Sequence, residues 1–255
     1  MQLTWWLIGC GSLVATLAGC QAGGGGEASA GRRLIVAVTI PPQAEFVERV
    51  GGERVEPLVM VPPGAEPHAY EPSPQQLVQL SGAGAYVQLG SGVAFERVWM
   101  PRIRDANPRL AVIDCGAGIE TVEGDPHVWL SLRHARSMAD PVRAGLARLD
   151  PAGAAIYRQN FASYAAELAA VDSTVARQLQ DGGVRAFLVY HPSWRYFARD
   201  YGLEQLAVER DGREPTAQDL ARLVGAARAA RIRALFVSPQ FEQRTAQALA
   251  AEIGA

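Results

Sequence analysis

Residues 150–183, "DPAGAAIYRQNFASYAAELAAVDSTVARQLQDGG", carry no helix breaker between Gly153 and Gly182-Gly183. Asp150 stands where an N-cap belongs and Pro151 where a first helical residue belongs. Ile156, Phe161, Tyr164, Leu168, Val171, Val175 and Leu179 recur at helical spacing. About 27 residues of helix span roughly 40 Å at 1.5 Å per residue. That is long for a helix lying on one α/β layer, and it suits a rod that joins two lobes.

Both flanks of this rod alternate between strand and helix signals. Before it, "RLIVAVTI" (33–40) reads as a strand closed by Pro41-Pro42, and "QAEFVERVGG" as a helix ending at Gly51-Gly52. "RVEPLVMV" (54–61), "AYVQLG" (85–90) and "RLAVID" (109–114) read as further strands. "SPQQLVQLSGA" (73–83) reads as a helix with Ser73 as N-cap and Pro74 at N1. After the rod, "AFLVYH", "LEQLAVE" and "ALFVS" (234–238) are strands. "PSWRYFARDYG", "TAQDLARLVGAARAARI" (216–232, capped by Thr216) and "FEQRTAQALAAEIGA" are helices. Such alternation argues for parallel sheets wrapped by helices. The expected fold class is therefore α/β. A first lobe spans 33–149, a connecting helix 150–181 and a second lobe 182–255.

The N-terminal residues read as a targeting segment rather than part of the fold. "LTWWLIGCGSLVATLAGC" is an apolar stretch of signal-peptide length, and "QAGGGGEASAGRR" is a flexible run after it. Leu17-Ala18-Gly19-Cys20 resembles a bacterial lipobox, which implies a signal peptide over 1–19 and a lipidated Cys20. Residues 20–32 would then form a tether holding the protein at a membrane surface without spanning it. With Cys10 removed and Cys20 lipidated, Cys115 has no disulfide partner and reads as a small buried hydrophobe. All 24 basic residues are arginine and the net charge is −2. No basic stripe points to nucleic acid.

Four histidines remain to be placed. An apolar strand run, "AFLVY", delivers His191, and Pro192 forbids continuing the ladder. His68 lies in "PPGAEPHAYEPSP", after the second strand, and His127 in "EGDPHVWLS". Ligands of parallel α/β sheets bind outside the carboxyl ends of strands. His68 and His191 sit at such ends, and His127 in a loop of the same kind. His134, between Arg133 and Arg136, reads as a histidine on a solvated helix face. The separations, 59 positions from His68 to His127 and 64 from His127 to His191, rule out a compact motif such as HExxH. A shared site requires three distant loops to converge. Imidazole suits zinc, copper, nickel or iron, whereas calcium and magnesium prefer oxygen.

Several segments resemble one family. "VAVTIPPQAEFVERVGGERVEPLVMVPPGAEPHAYEPSPQQL", "DPHVWLS", "DPAGAAIYRQNFASYAAEL", "HPSWRYFARDYGL" and "ERDGREPTAQDL" are similar, in order, to the metal-binding lipoproteins of bacterial zinc and manganese ABC importers, the ZnuA/TroA-like family. The resemblance covers roughly residues 33–255. It implies two parallel-sheet α/β lobes joined by a rigid helix, with one metal in the cleft. It also implies His68, His127 and His191 as the first three ligands. Zn2+ as bound substrate, with Mn2+ less favoured, follows from His at the third position and from the nitrogen-rich donor set. Implied with it are an ABC permease as partner, a membrane anchor through lipid, a monomer, and an extracytoplasmic, periplasmic or cell-envelope location. The family continues to a further strand and an Asp as fourth ligand, whereas this sequence stops at Ala255, so a truncated second lobe is expected. Glu66 is then a local candidate for the fourth position, its plain reading being a solvated loop acid. The acidic, histidine-rich loop of zinc-type relatives is reduced here to "DCGAGIETVEGD".

Other classes stay open on the residues alone. A zinc hydrolase also uses three protein ligands and an open position, but needs a general base. No carboxylate is placed to argue for one, so the expectation is not an enzyme. A surface adhesin would need no metal.

Overall fold

The computed structural model describes residues 33–209, 215–241 and 243–254. The expected leader over 1–19, the expected tether over 20–32 and the expected lipidation site at Cys20 lie outside the described residues. Among the described residues no helix is long and apolar enough to cross a membrane.

The first lobe is a four-stranded parallel sheet, from Leu34–Val38 (β1), Val55–Val59 (β2), Ala85–Gln88 (β3) and Ala111–Asp114 (β4), in the order β2-β1-β3-β4. Pro57 faces Val36 across the β1–β2 pairing. It is tolerated because β2 is an edge strand, where a missing N–H costs the ladder little. The helices Pro41–Gly51 (α1), Pro74–Ser81 (α2), Ala94–Ala106 (α3) and Leu132–Leu149 (α4) accompany the sheet. Ser73 caps α2 as its sequence indicates, accepting from the Gln76 amide at 3.3 Å. The sequence reading assigns no element to α3, which carries Pro101 in its interior.

Buried polar groups fix the carboxyl ends of two neighbouring strands. The Glu96 carboxylate on α3 accepts from Thr39 Oγ1 (2.5 Å) just after β1, and from the amides of Leu89 (2.6 Å) and Gly90 (3.0 Å) just after β3. Gln43 of α1 accepts from the amides of Thr39 and Ile40 and donates to the Val87 carbonyl. Burial demands such partners, and here they stiffen the rim from which the site loops depart. Cys115 is buried beside them, as expected.

The long helix is Ala154–Asp181 (α5). Asp150 does not cap it. Residues 151–153 form a separate 3-10 turn, and the Asp150 carboxylate is taken by Arg54 Nε (2.7 Å), Arg54 Nη2 (2.9 Å) and Tyr157 Oη (2.5 Å). Its buried face keeps Tyr164 and Leu168 of the sequence stripe and departs from it elsewhere. Tyr157, Tyr164, Ala165 and Leu168 are buried, whereas Ile156 and Val171 are 46% and 47% exposed. The tyrosines win because their hydroxyls find partners: Tyr164 donates to Glu45 at 3.0 Å across to α1. The first half of α5 is thereby docked on α1 and α4.

The second lobe is a three-stranded parallel sheet, from Ala186–Val189 (β5), Glu204–Ala207 (β6) and Leu235–Phe236 (β7), in the order β6-β5-β7. Its helices are Arg195–Tyr201 (α6), Ala217–Ala229 (α7) and Gln243–Ile253 (α8). Thr216 caps α7 by accepting from the Asp219 amide. Leu188, Val208, Ala227, Ile232, Leu249 and Ile253 form this lobe's own core. The fold is thus α/β, with two parallel sheets joined by one long helix.

Candidate metal centre

Three loops at the carboxyl ends of strands bring three imidazoles together. His68 follows β2, His127 lies between β4 and α4, and His191 follows β5. One ring nitrogen from each lies within 4.8 Å of the others. Ring centroids are 5.8 Å apart for His68 and His127, 6.1 Å for His68 and His191, and 5.2 Å for His127 and His191. The rings line a cavity of about 130 Å³ together with Glu66, Trp129 and Phe241. No other His, Cys, Asp or Glu joins the group among the described residues.

Each ring is held differently. His127 Nδ1 meets Asp125 Oδ1 at 2.6 Å, and the same oxygen accepts from the His127 amide at 2.9 Å. His191 Nδ1 meets Glu209 Oε2 at 2.8 Å, and its ring stacks on Phe241 with centroids 5.0 Å apart and 20° between planes. With Nδ1 engaged by a carboxylate, Nε2 is the nitrogen left for a cation. His68 is the least enclosed, its side chain 39% exposed against 12% and 19% for His127 and His191. Burial in the cleft lowers the pKa of the His68 imidazole, against the opposite pull of Glu66. The ring is thereby biased toward the neutral, coordinating form.

Glu66 stands outside the cluster. Its Oε1 accepts from the His68 amide at 3.1 Å and lies 3.8 Å from His68 Nε2. The sequence carried a signal here that was not read. His68 and His127 both end an acid-Pro-His tripeptide, Glu66-Pro67-His68 and Asp125-Pro126-His127. In both, the acid accepts from the histidine's own amide. The shorter Asp125 arm also reaches the ring. Glu209 had no comparable local signal, being 18 positions from His191 and brought to it by β6 lying beside β5.

His134 is not on a solvated face. It is half-buried, Nδ1 3.2 Å from the Val128 carbonyl and Nε2 3.1 Å from Arg199 Nη2, with its ring 5.2 Å from that of Tyr196. It lies where α4 meets α6, away from the three-histidine group.

Residues 36–255 match the family described as zinc-uptake complex component A, periplasmic (ZnuA). The chain belongs to this family. It is a metal-binding substrate-binding protein and not an enzyme. A ZnuA crystal structure superposes with a TM-score of 0.83 at 41% identity, covering 88% of this chain and 89% of that one. The high-affinity zinc uptake system protein ZnuA of Bacillus subtilis is 25% identical over 272 residues, 98% of this chain and 84% of that protein. The manganese-binding lipoprotein MntA of Halalkalibacterium halodurans is 26% identical over 230 residues, 86% of this chain and 76% of that protein. Against the zinc-binding lipoprotein AdcA of Streptococcus pneumoniae, 28% identical, the chain spans 47% of that protein's length.

Proposed function

We propose that the protein captures one zinc ion between His68, His127 and His191 and hands it to an ABC permease. The observation that carries this reading is the convergence of three imidazole nitrogens to within 4.8 Å from loops of two different sheets. Tetrahedral zinc bonds imidazole at about 2.0–2.1 Å, which places ligand nitrogens about 3.4 Å apart. The three rings therefore need to contract by at most about 1.4 Å. An all-imidazole donor set favours zinc over manganese, which takes oxygen donors more readily. Asp125 and Glu209 lie one hydrogen bond behind two of the rings and bring negative charge to balance a divalent ion.

Relatives named for zinc and a relative named for manganese both match, so the choice rests on the donor chemistry. A lipid on Cys20 would hold the protein at the outer face of a membrane, beside its permease, with residues 20–32 as the tether. Competition titration at neutral pH against a chromophoric chelator tests the metal: zinc is expected to bind one ion per chain and to displace manganese. A preference for manganese would overturn the assignment. Intact-mass analysis of membrane-extracted protein tests the anchor, with a diacylated Cys20 expected.

A further inference from the structure

We propose that Tyr196, on the second lobe's α6, is a positioning residue for His127, the ligand contributed by the first lobe. The inference rests on the three-histidine reading given above. Tyr196 is fully buried, and the core it enters is that of the first lobe rather than its own. Its hydroxyl is used twice. It donates to the Asp125 carbonyl at 2.6 Å and accepts from the Val122 amide at 3.0 Å. These two bonds close on either end of the turn 122–125, where Asp125 N also donates to the Val122 carbonyl. Asp125 is the residue whose carboxylate holds the His127 ring. A single phenol from the opposite lobe therefore fixes the backbone that aims a ligand.

The neighbouring Arg195 supports the same turn by charge. Asp125 Oδ2 and Arg195 Nε are both buried and make no hydrogen bond, yet they face each other at 3.5 Å. Arg195 Nη1 donates to Glu123 at 2.7 Å in the same turn. The Tyr196 ring is confined on two sides, by His134 at 5.2 Å and by the Arg199 guanidinium 5.3 Å from its centroid. Its position is therefore set by packing and does not depend on the hydroxyl bonds alone. His191 lies only four positions before α6. The same short helix therefore follows one ligand loop in the chain and braces, through Tyr196, the loop that carries another. Preformed ligand geometry of this kind raises affinity by lowering the ordering cost of binding.

The test is Tyr196→Phe in the full chain, with zinc as probe. The ring and its packing stay, and only the two hydroxyl bonds go. Zinc dissociation constants are expected to rise by about tenfold, the lower edge of the range for supporting residues behind a metal ligand. Tyr201→Phe is the control. It removes the hydroxyl bond to Asp172 (2.6 Å), made by the same α6 but leading to α5 rather than to the ligand loop. Both variants should lower the melting temperature of the metal-free protein to a similar extent, whereas only Tyr196→Phe should lose zinc affinity. Hydrogen exchange at the Val122 amide should accelerate in Tyr196→Phe alone. Should Tyr196→Phe not fold, Arg195→Ala decides, with at least a threefold rise expected. Zinc affinity within twofold of the wild type in whichever variant decides, or an equal loss in Tyr201→Phe, overturns the proposal. Absence of zinc binding by the wild-type chain would instead overturn the three-histidine reading itself.

Discussion

Three carboxylates stand near the histidine cluster, and the geometry ranks them. Asp125 makes a 2.6 Å contact with the His127 ring and a 2.9 Å bond from its amide. Glu209 makes a 2.8 Å contact with the His191 ring. Glu66 reaches only the His68 amide, at 3.1 Å, with the ring nitrogen 3.8 Å away. A charge-assisted hydrogen bond of the first kind is worth about 1.5–3 kcal/mol. Loss of a carboxylate behind a metal-bound imidazole costs about 10–100-fold in affinity, or about 1.4–2.8 kcal/mol. Asp125→Ala and Glu209→Ala should therefore raise the zinc dissociation constant by about 10–100-fold. Asp125→Ala should sit at the upper end, because it also frees the loop backbone and leaves Arg195 Nε facing no charge. Glu66→Ala removes an exposed backbone contact and should change affinity by about threefold or less. Isothermal titration with a competing chelator resolves these steps. A loss in Glu66→Ala as large as that in Asp125→Ala would refute the ranking and make Glu66 a ligand.

Further outcomes follow from the same contacts. His134→Ala should lower the melting temperature by a few degrees, through lost contacts with Val128, Arg199 and Tyr196, while zinc affinity stays within about threefold; a larger affinity loss would draw His134 into the site. Glu96→Ala leaves the amides of Leu89 and Gly90 without their acceptor, at about 1–3 kcal/mol each, while Thr39 Oγ1 keeps Tyr86 Oη at 3.0 Å, so guanidinium unfolding should show a loss of at least about 2 kcal/mol. Arg54 and then Tyr157 hold the Asp150 carboxyl down to a pKa of about 2. A depressed acid stabilises the fold at pH above its unfolded value and loses that contribution as pH falls through the folded one. Asp150→Asn should thus lack the share of acid destabilisation that Asp150 contributes between about pH 4 and pH 2, so stability should fall less steeply over that interval than in the wild type.

What could be read in the chain beforehand depended on whether the deciding contact was local. The caps at Ser73 and Thr216 are three-residue devices, and both form as read. Asp150 has the same look, yet its carboxylate goes to Arg54, 96 positions away, so the cap is lost to a long-range pair. Of the stripe on α5, Tyr164 and Leu168 are buried as read, and Tyr157, outside the stripe, joins them because its hydroxyl finds Asp150. Helix α3, with Pro101 in its interior, was not assigned from the sequence. The three histidines stood out because each interrupts or follows a strand in an α/β pattern. Their supports were less visible. Asp125 was within two residues of His127 and could have been read from the shared acid-Pro-His tripeptides. Glu209 and Tyr196 could not, since only the adjacency of β6 to β5 and the insertion of α6 into the first lobe bring them there.

Zinc K-edge X-ray absorption on the protein loaded with one equivalent of zinc reads the donor set without reference to stability or affinity. The account predicts a first shell with three imidazole nitrogens at about 2.0–2.1 Å and the outer-shell scattering of three histidine rings. A first shell containing sulfur, or the scattering of fewer than three imidazoles, would contradict it.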